Sequence, residues 1–134
     1  MKQIVLMVSI LIIIIGGTLY ACNYINKTSN ELIGKLTELR NEINNGDVGV
    51  DAHIDPNKTK QASNNIYNEW ERISKIWSII VLHNELDLIE TSLISMKTNI
   101  ETGDKNKALE ELDKSVDLLN HIVEKEKLSF KNVF

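Results

Sequence analysis

The chain has 134 residues with 15 basic and 19 acidic side chains, enough for one domain plus a tether. Lys2 is the only charge before Cys22, so the remainder is mildly acidic, which argues against a nucleic-acid partner and its usual basic binding face. Cys22 is the only cysteine, so no intramolecular disulfide supports the fold.

Residues 4–21, IVLMVSILIIIIGGTLYA, carry no charge. As a helix at about 1.5 Å per residue they span roughly 27 Å, close to a hydrocarbon core of about 30 Å. A soluble core helix would show a polar face, and this segment has none. Residues 1–22 therefore read as a transmembrane signal anchor that attaches the chain to the membrane through 4–21. Two other fates stay open. Leu19-Tyr20-Ala21-Cys22 resembles a lipobox that would lipidate Cys22, although Tyr20 is bulky for it, and ordinary signal cleavage would release the domain. Tyr20 and Tyr24 flank the boundary as interfacial aromatics do.

Residues 23–27 read as a short polar exit. Thr28-Ser29-Asn30-Glu31 has the spacing of a capping box, followed by Leu32, Ile33, Leu36, Leu39 and Ile43 at helical spacing. Asn45-Gly46-Asp47 closes this first helix, and 48–54 reads as loop. Asp55 is placed to cap a second helix over 56–81, with Pro56 at its first position. Its stripe is Ala62, Ile66, Trp70, Ile73, Trp77, Ile80 and Val81. A break is preferred near Asn84, which would cap a third helix with Glu85 and Asp87 in its first turn. One long kinked helix is the alternative. The third stripe is Leu86, Ile89, Leu93, Met96 and Ile100. Gly103 ends that helix, and Asp104 caps a fourth with Ala108, Leu109, Leu112, Val116, Leu119, Ile122 and Val123 on one face. The apolar tail Leu128 to Phe134 is expected to dock on the bundle. Helix, Asn-Gly-Asp, helix recurs as helix, Thr-Gly-Asp, helix. The expected fold is thus all-α. An N-terminal transmembrane helix precedes a domain over 23–134, a four-helix antiparallel bundle of two αα-hairpins, with tetratricopeptide-like stacking as the variant.

The segment 4–21, Trp70, the run Val81 to Asp87, Gly103-Asp104 with Ala108, and Ser129 to Phe134 together resemble the bacterial domain of unknown function family 4363. The resemblance covers nearly the whole chain. It implies a small, single-pass, mostly helical protein of spore-forming and related bacteria, and brings no activity, catalytic residue or ligand.

Chemistry-bearing groups are few. His83, Asp87 and Glu90 share a face on a continuous helix, and His121 and Glu124 lie three apart. Together they would make a metal site of the kind built inside bundles, but the paired Glu-x-x-His motifs of such sites are missing. The bland alternative makes them helix-end and surface side chains. Trp70 and Trp77 suit either a binding hot spot or a core. Core is favoured for Trp77, while Glu69 and Glu71 suggest an edge for Trp70. No nucleophile elbow, phosphate loop or Cys-x-x-Cys occurs, so no enzyme and no cofactor is expected. The reading is a single-pass plasma-membrane protein whose extracytoplasmic C-terminal domain binds a protein partner through Trp70, Trp77, His83, Glu85, Asp87 and Phe134, in a cell-envelope or sporulation process. The alternative is a ligand or metal sensor built on His83 and His121.

Overall fold

The computed structural model describes residues 1–45 and 56–133, the side chains of 130 and 133 excepted. Four helices account for it: α1 (Lys2–Asn45), α2 (Pro56–Trp77), α3 (His83–Thr102) and α4 (Lys105–Val133). The turn at 46–47, the loop at 48–54, the cap at Asp55 and the docking of Phe134 lie outside the described residues.

The charge-free segment and the first bundle helix are one helix. Residues 23–27 form no exit loop, and Thr28 is no cap. Thr28 sits in the helix interior and donates its hydroxyl to the Tyr24 carbonyl at 2.8 Å. Nothing between Thr18 and Gly34 breaks a helix, so propensity carries the chain straight through. Gly34 lies in α1 with open space around it.

The four helices bury seats that alternate at steps of three and four. In α1 these are Ile25, Ser29, Leu32, Leu36, Leu39 and Ile43, and in α2 Thr59, Ser63, Ile66, Trp70, Ile73 and Trp77. In α3 they are Leu86, Ile89, Leu93 and Met96, and in α4 Ala108, Leu112, Ser115, Leu119 and Ile122. This is the heptad seam of a left-handed bundle. The stripes read from the sequence hold the apolar seats from Leu32 onward, together with partly buried neighbours such as Ile33, Ala62 and Val116, and miss Ile25 and the serine and threonine seats. Two of the small hydroxyl residues satisfy themselves locally: Ser63 donates to the Lys60 carbonyl at 2.9 Å and Ser115 to the Glu111 carbonyl at 2.8 Å. Such seats let neighbouring helices approach closely.

Each helix packs on the next, and α4 returns onto α1; the diagonal pairs do not pack. The ring is therefore closed, an up-down-up-down bundle rather than an open tetratricopeptide-like stack. Cross-helix pairs fix the register: Lys35 with Glu69, Lys58 with Glu42, Arg40 with Asp113 at 3.1 Å, and Lys125 with Glu85 at 2.8 Å. These exposed pairs are each worth about 0–1 kcal/mol, so they select alignment more than they stabilise.

The connections follow the backbone. α2 ends at Trp77, four residues earlier than its apolar run suggests, because the chain must reverse there. Ser78, Ile79 and Ile80 form a turn, and Leu82 is extended at φ −63, ψ 137 ahead of α3. Leu82, not Asn84, holds the cap position, and no side chain caps this end. At the other end Gly103 takes φ 80, and the Asp104 N–H reaches back to the Asn99 carbonyl at 2.9 Å, closing α3 with a left-handed cap. Asp104 then accepts from the Lys107 N–H at 3.1 Å and starts α4 as expected.

Candidate functional site

The two tryptophans make core, not a platform. Trp70 and Trp77 are 1% and 0% exposed, and their rings meet edge to face at 5.7 Å between centroids and 80° between planes. The edge position expected for Trp70 is thus corrected: Glu69 and Glu71 flank it in sequence but lie on neighbouring faces of the helix. Trp77 Nε1 donates to Thr28 Oγ1 at 3.0 Å, tying α2 to α1. Trp70 Nε1 is buried and finds no acceptor among the described residues.

The histidines do not converge. His83 and His121 are both exposed, on α3 and α4, and so are Asp87 and Glu124. Glu90 is occupied by Tyr67, whose hydroxyl donates to Glu90 Oε1 at 3.2 Å across the α2–α3 interface. Lys97 Nζ stands 5.4 Å from the centre of the same Tyr67 ring. Burial, together with this carboxylate, pushes the Tyr67 phenol up. Glu85 Oε1 is taken by Lys125. No three His, Cys, Asp or Glu side chains are grouped to hold a metal among the described residues. His121 borders only an open concavity shared with Glu110, Asp113, Lys114, Asp117 and Leu118.

A larger apolar concavity lies elsewhere than the histidines, at the end of the bundle nearest the charge-free segment. A groove of about 790 Å³ runs between Ile13, Ile14, Gly17, Thr18, Ala21 and Cys22 of α1, Ile76 of α2 with Ile79 and Ile80 of the turn after it, and Glu126 and Ser129 of α4. Its lining is mostly apolar. Cys22 faces it as a half-buried free thiol. Glu126 is the one acid there, and burial holds its carboxyl above the usual range, against the opposing charge of Lys125 and with that of Glu85. The sequence reading passed over Glu126. The available signal is the seam: continuing from Leu119 and Ile122, the next step of four lands on residue 126.

A family model described as a domain of unknown function, DUF4363, matches residues 19–133. The chain belongs to this family. The DUF4363 match crosses the junction between the apolar segment and the bundle, the region over which α1 runs unbroken. No curated protein and no solved structure matches this DUF4363 chain. α1 is the one helix among the described residues long and apolar enough to cross a membrane. The tail behaves differently from expectation over its described part: α4 continues helically to Val133, and Leu128 is 61% exposed instead of docked.

Proposed function

We propose that this DUF4363 protein is a single-pass plasma-membrane protein whose bundle lies outside the cytoplasm and works by binding another envelope protein, without performing a reaction. The observation that supports this most directly is the continuity of α1. One helix carries both the charge-free segment and the α1 share of the bundle core, from Ile25 to Ile43. A tether needs no such continuity, whereas a domain that must present one face at a fixed height above the membrane does. The presented surface is the exposed α3–α4 side with His83, Asp87, His121 and Glu124. Residues 1–22 act as an uncleaved signal anchor in this reading. Separation of His83 from His121 on exposed faces gives the metal-sensor alternative no support.

Two measurements test it. In the full chain with Cys22→Ser, an Asn106→Cys substitution labels with a membrane-impermeant maleimide on intact cells; labelling only after permeabilisation overturns the extracytoplasmic orientation. Photocrosslinkers at positions 83, 87 and 121 capture one specific membrane or envelope protein in cells. Only self-crosslinks at all three positions would remove the adaptor reading and leave a homo-oligomer.

A further inference from the structure

The groove described above has one wall in the apolar segment and two in the bundle, so the bundle's end stands at a height that can be read from the helix pairing. Trp77 is level with Thr28, through their hydrogen bond. Each step forward along α2 is a step back along α1, so Ile79 stands beside about residue 26 of α1. The apolar run ends at Ala21, about five residues lower, which is roughly 7 Å at 1.5 Å per residue. A headgroup layer occupies about 5–7 Å on each side of the hydrocarbon core. α4 gives the same answer independently. Arg40 pairs with Asp113, which puts Leu128 beside about residue 25 and the end of α4 beside about residue 20. Ser129 lining one groove with Ala21 and Cys22 agrees with that overlap.

The chemistry at this height fits lipid. Residues 76–82, IWSIIVL, carry no charge. Among the described residues beyond the apolar segment, the exposed large aliphatic side chains are Ile76, Ile79, Leu82, Leu88, Ile94 and Leu128. Four of these six sit at this one end, with Ile79 82% and Leu82 59% exposed. Lys75 in the last turn of α2 and Lys127 and Lys131 near the end of α4 border them, all exposed. Aliphatic tips ringed by lysines whose long stems reach toward phosphate are what the boundary between headgroups and acyl chains accommodates.

Resting on the membrane-anchored reading, we propose that Ile76 in the last turn of α2, Ile79 and Leu82 between α2 and α3, and Leu128 near the end of α4 form a second membrane contact, seated in the headgroup layer of the same bilayer that α1 crosses. The groove between them and α1 then opens onto lipid. The bundle stands on the membrane by three points, α1, the turn and the end of α4, so its rotation and tilt are fixed.

The test uses the full chain with Cys22→Ser and one added cysteine at a time: Ile79→Cys, Leu82→Cys or Leu128→Cys, with Ile10→Cys inside the apolar segment and Asn106→Cys at the far end of the bundle. All five positions are exposed, so none of the changes touches the core. Each variant carries a nitrobenzoxadiazole probe in nanodiscs of phosphatidylcholine with a minority of phosphatidylglycerol, loaded with one chain per disc. Quenching is read against lipids spin-labelled near the headgroup. Probes at 79, 82 and 128 are expected to quench at least about twofold more than the probe at 106, as interfacial side chains do. If the probe at 10 is quenched while those at 79, 82 and 128 match 106, the anchor stands and the second contact is overturned. Loss of quenching at 10 as well overturns both. A blue-shifted but unquenched probe at 79 in discs carrying two chains means a second copy covers this end, which also overturns the lipid assignment.

Discussion

Thr28 ties α1 to α2 in the core: it accepts from Trp77 Nε1 at 3.0 Å and donates to its own helix at Tyr24. Thr28→Val keeps the shape and removes the acceptor. A buried N–H left unpaired costs about 1–3 kcal/mol, so chemical denaturation in detergent should show a loss of that size. The two tryptophans should differ in the same assay. Trp77→Phe loses ring area and a satisfied hydrogen bond, whereas Trp70→Phe loses ring area and an orphaned donor. The larger destabilisation is expected at 77, and equal losses would mean that the Thr28 bond contributes nothing. Glu126 supplies a pH-dependent counterpart. Burial raises its folded pKa above its unfolded value, so stability is greatest below the unfolded pKa and is lost as pH rises through the folded one. Glu126→Gln should therefore raise the melting temperature at neutral pH. That advantage should close as pH falls into the ordinary carboxylate range. A pH-independent difference would show that Glu126 is solvated when folded.

At the scale of elements, α1 and the α3–α4 turn make opposite demands on glycine. Gly34 lies inside a helix with nothing within 4 Å of an added Cβ, so Gly34→Ala should stabilise by about 0.5–1 kcal/mol. Gly103 sits at φ 80, where a side chain is strained, and Gly103→Ala should destabilise by about 1–2 kcal/mol, with Gly103→Asn milder. Thermal melts of the three variants check the signs. These elements show what the sequence could reveal. The apolar stripes from Leu32 to Val123 and the stop at Thr102-Gly103-Asp104 were legible, because period and turn chemistry are local properties. The junction at 23–28 was misread because Thr-x-x-Glu has one spelling whether it caps a helix or lies within one. Only packing of Ile25 and Ser29 against other helices decides the matter. The α2 end was misplaced by four residues for a related reason: Ile79 to Leu82 are as apolar as the core, and no breaker marks the reversal. Of the binding residues, core is the favoured reading for Trp77 and its burial agrees, whereas the edge suggested for Trp70 is overturned, because the acids beside it in sequence say nothing about the face its ring occupies. The approach of His83 to His121 depends on which helix faces meet, and spacing along each helix says nothing about that.

At the scale of the molecule, α1 is about 66 Å long at 1.5 Å per residue; the charge-free segment takes up roughly its first half and the bundle seats from Ile25 to Ile43 the second. The division has a consequence for the domain by itself. Residues 23–134 retain every fully buried seat from Ile25 onward, so the core does not depend on the apolar segment. What the fragment loses is the α1 wall of the groove from Ile13 to Cys22, which uncovers Ile76, Ile79 and Ile80 further and leaves them facing water together with the exposed Leu82 and Leu128. An apolar end of this kind favours association. The 23–134 fragment should therefore be helical and melt cooperatively in mild detergent, yet sediment as associated species in plain buffer. Replacing Ile79 and Leu82 with serine should return it to a monomer without lowering its melting temperature, since both side chains are exposed in the fold. Sedimentation velocity decides between two origins of solubility. A fragment that is monomeric in buffer with its native turn would mean that the end of the bundle needs no cover, and that the membrane holds the protein by α1 alone. Association abolished by the two serines would place the need for cover at the turn itself, a few ångströms above the point where the apolar run of α1 ends.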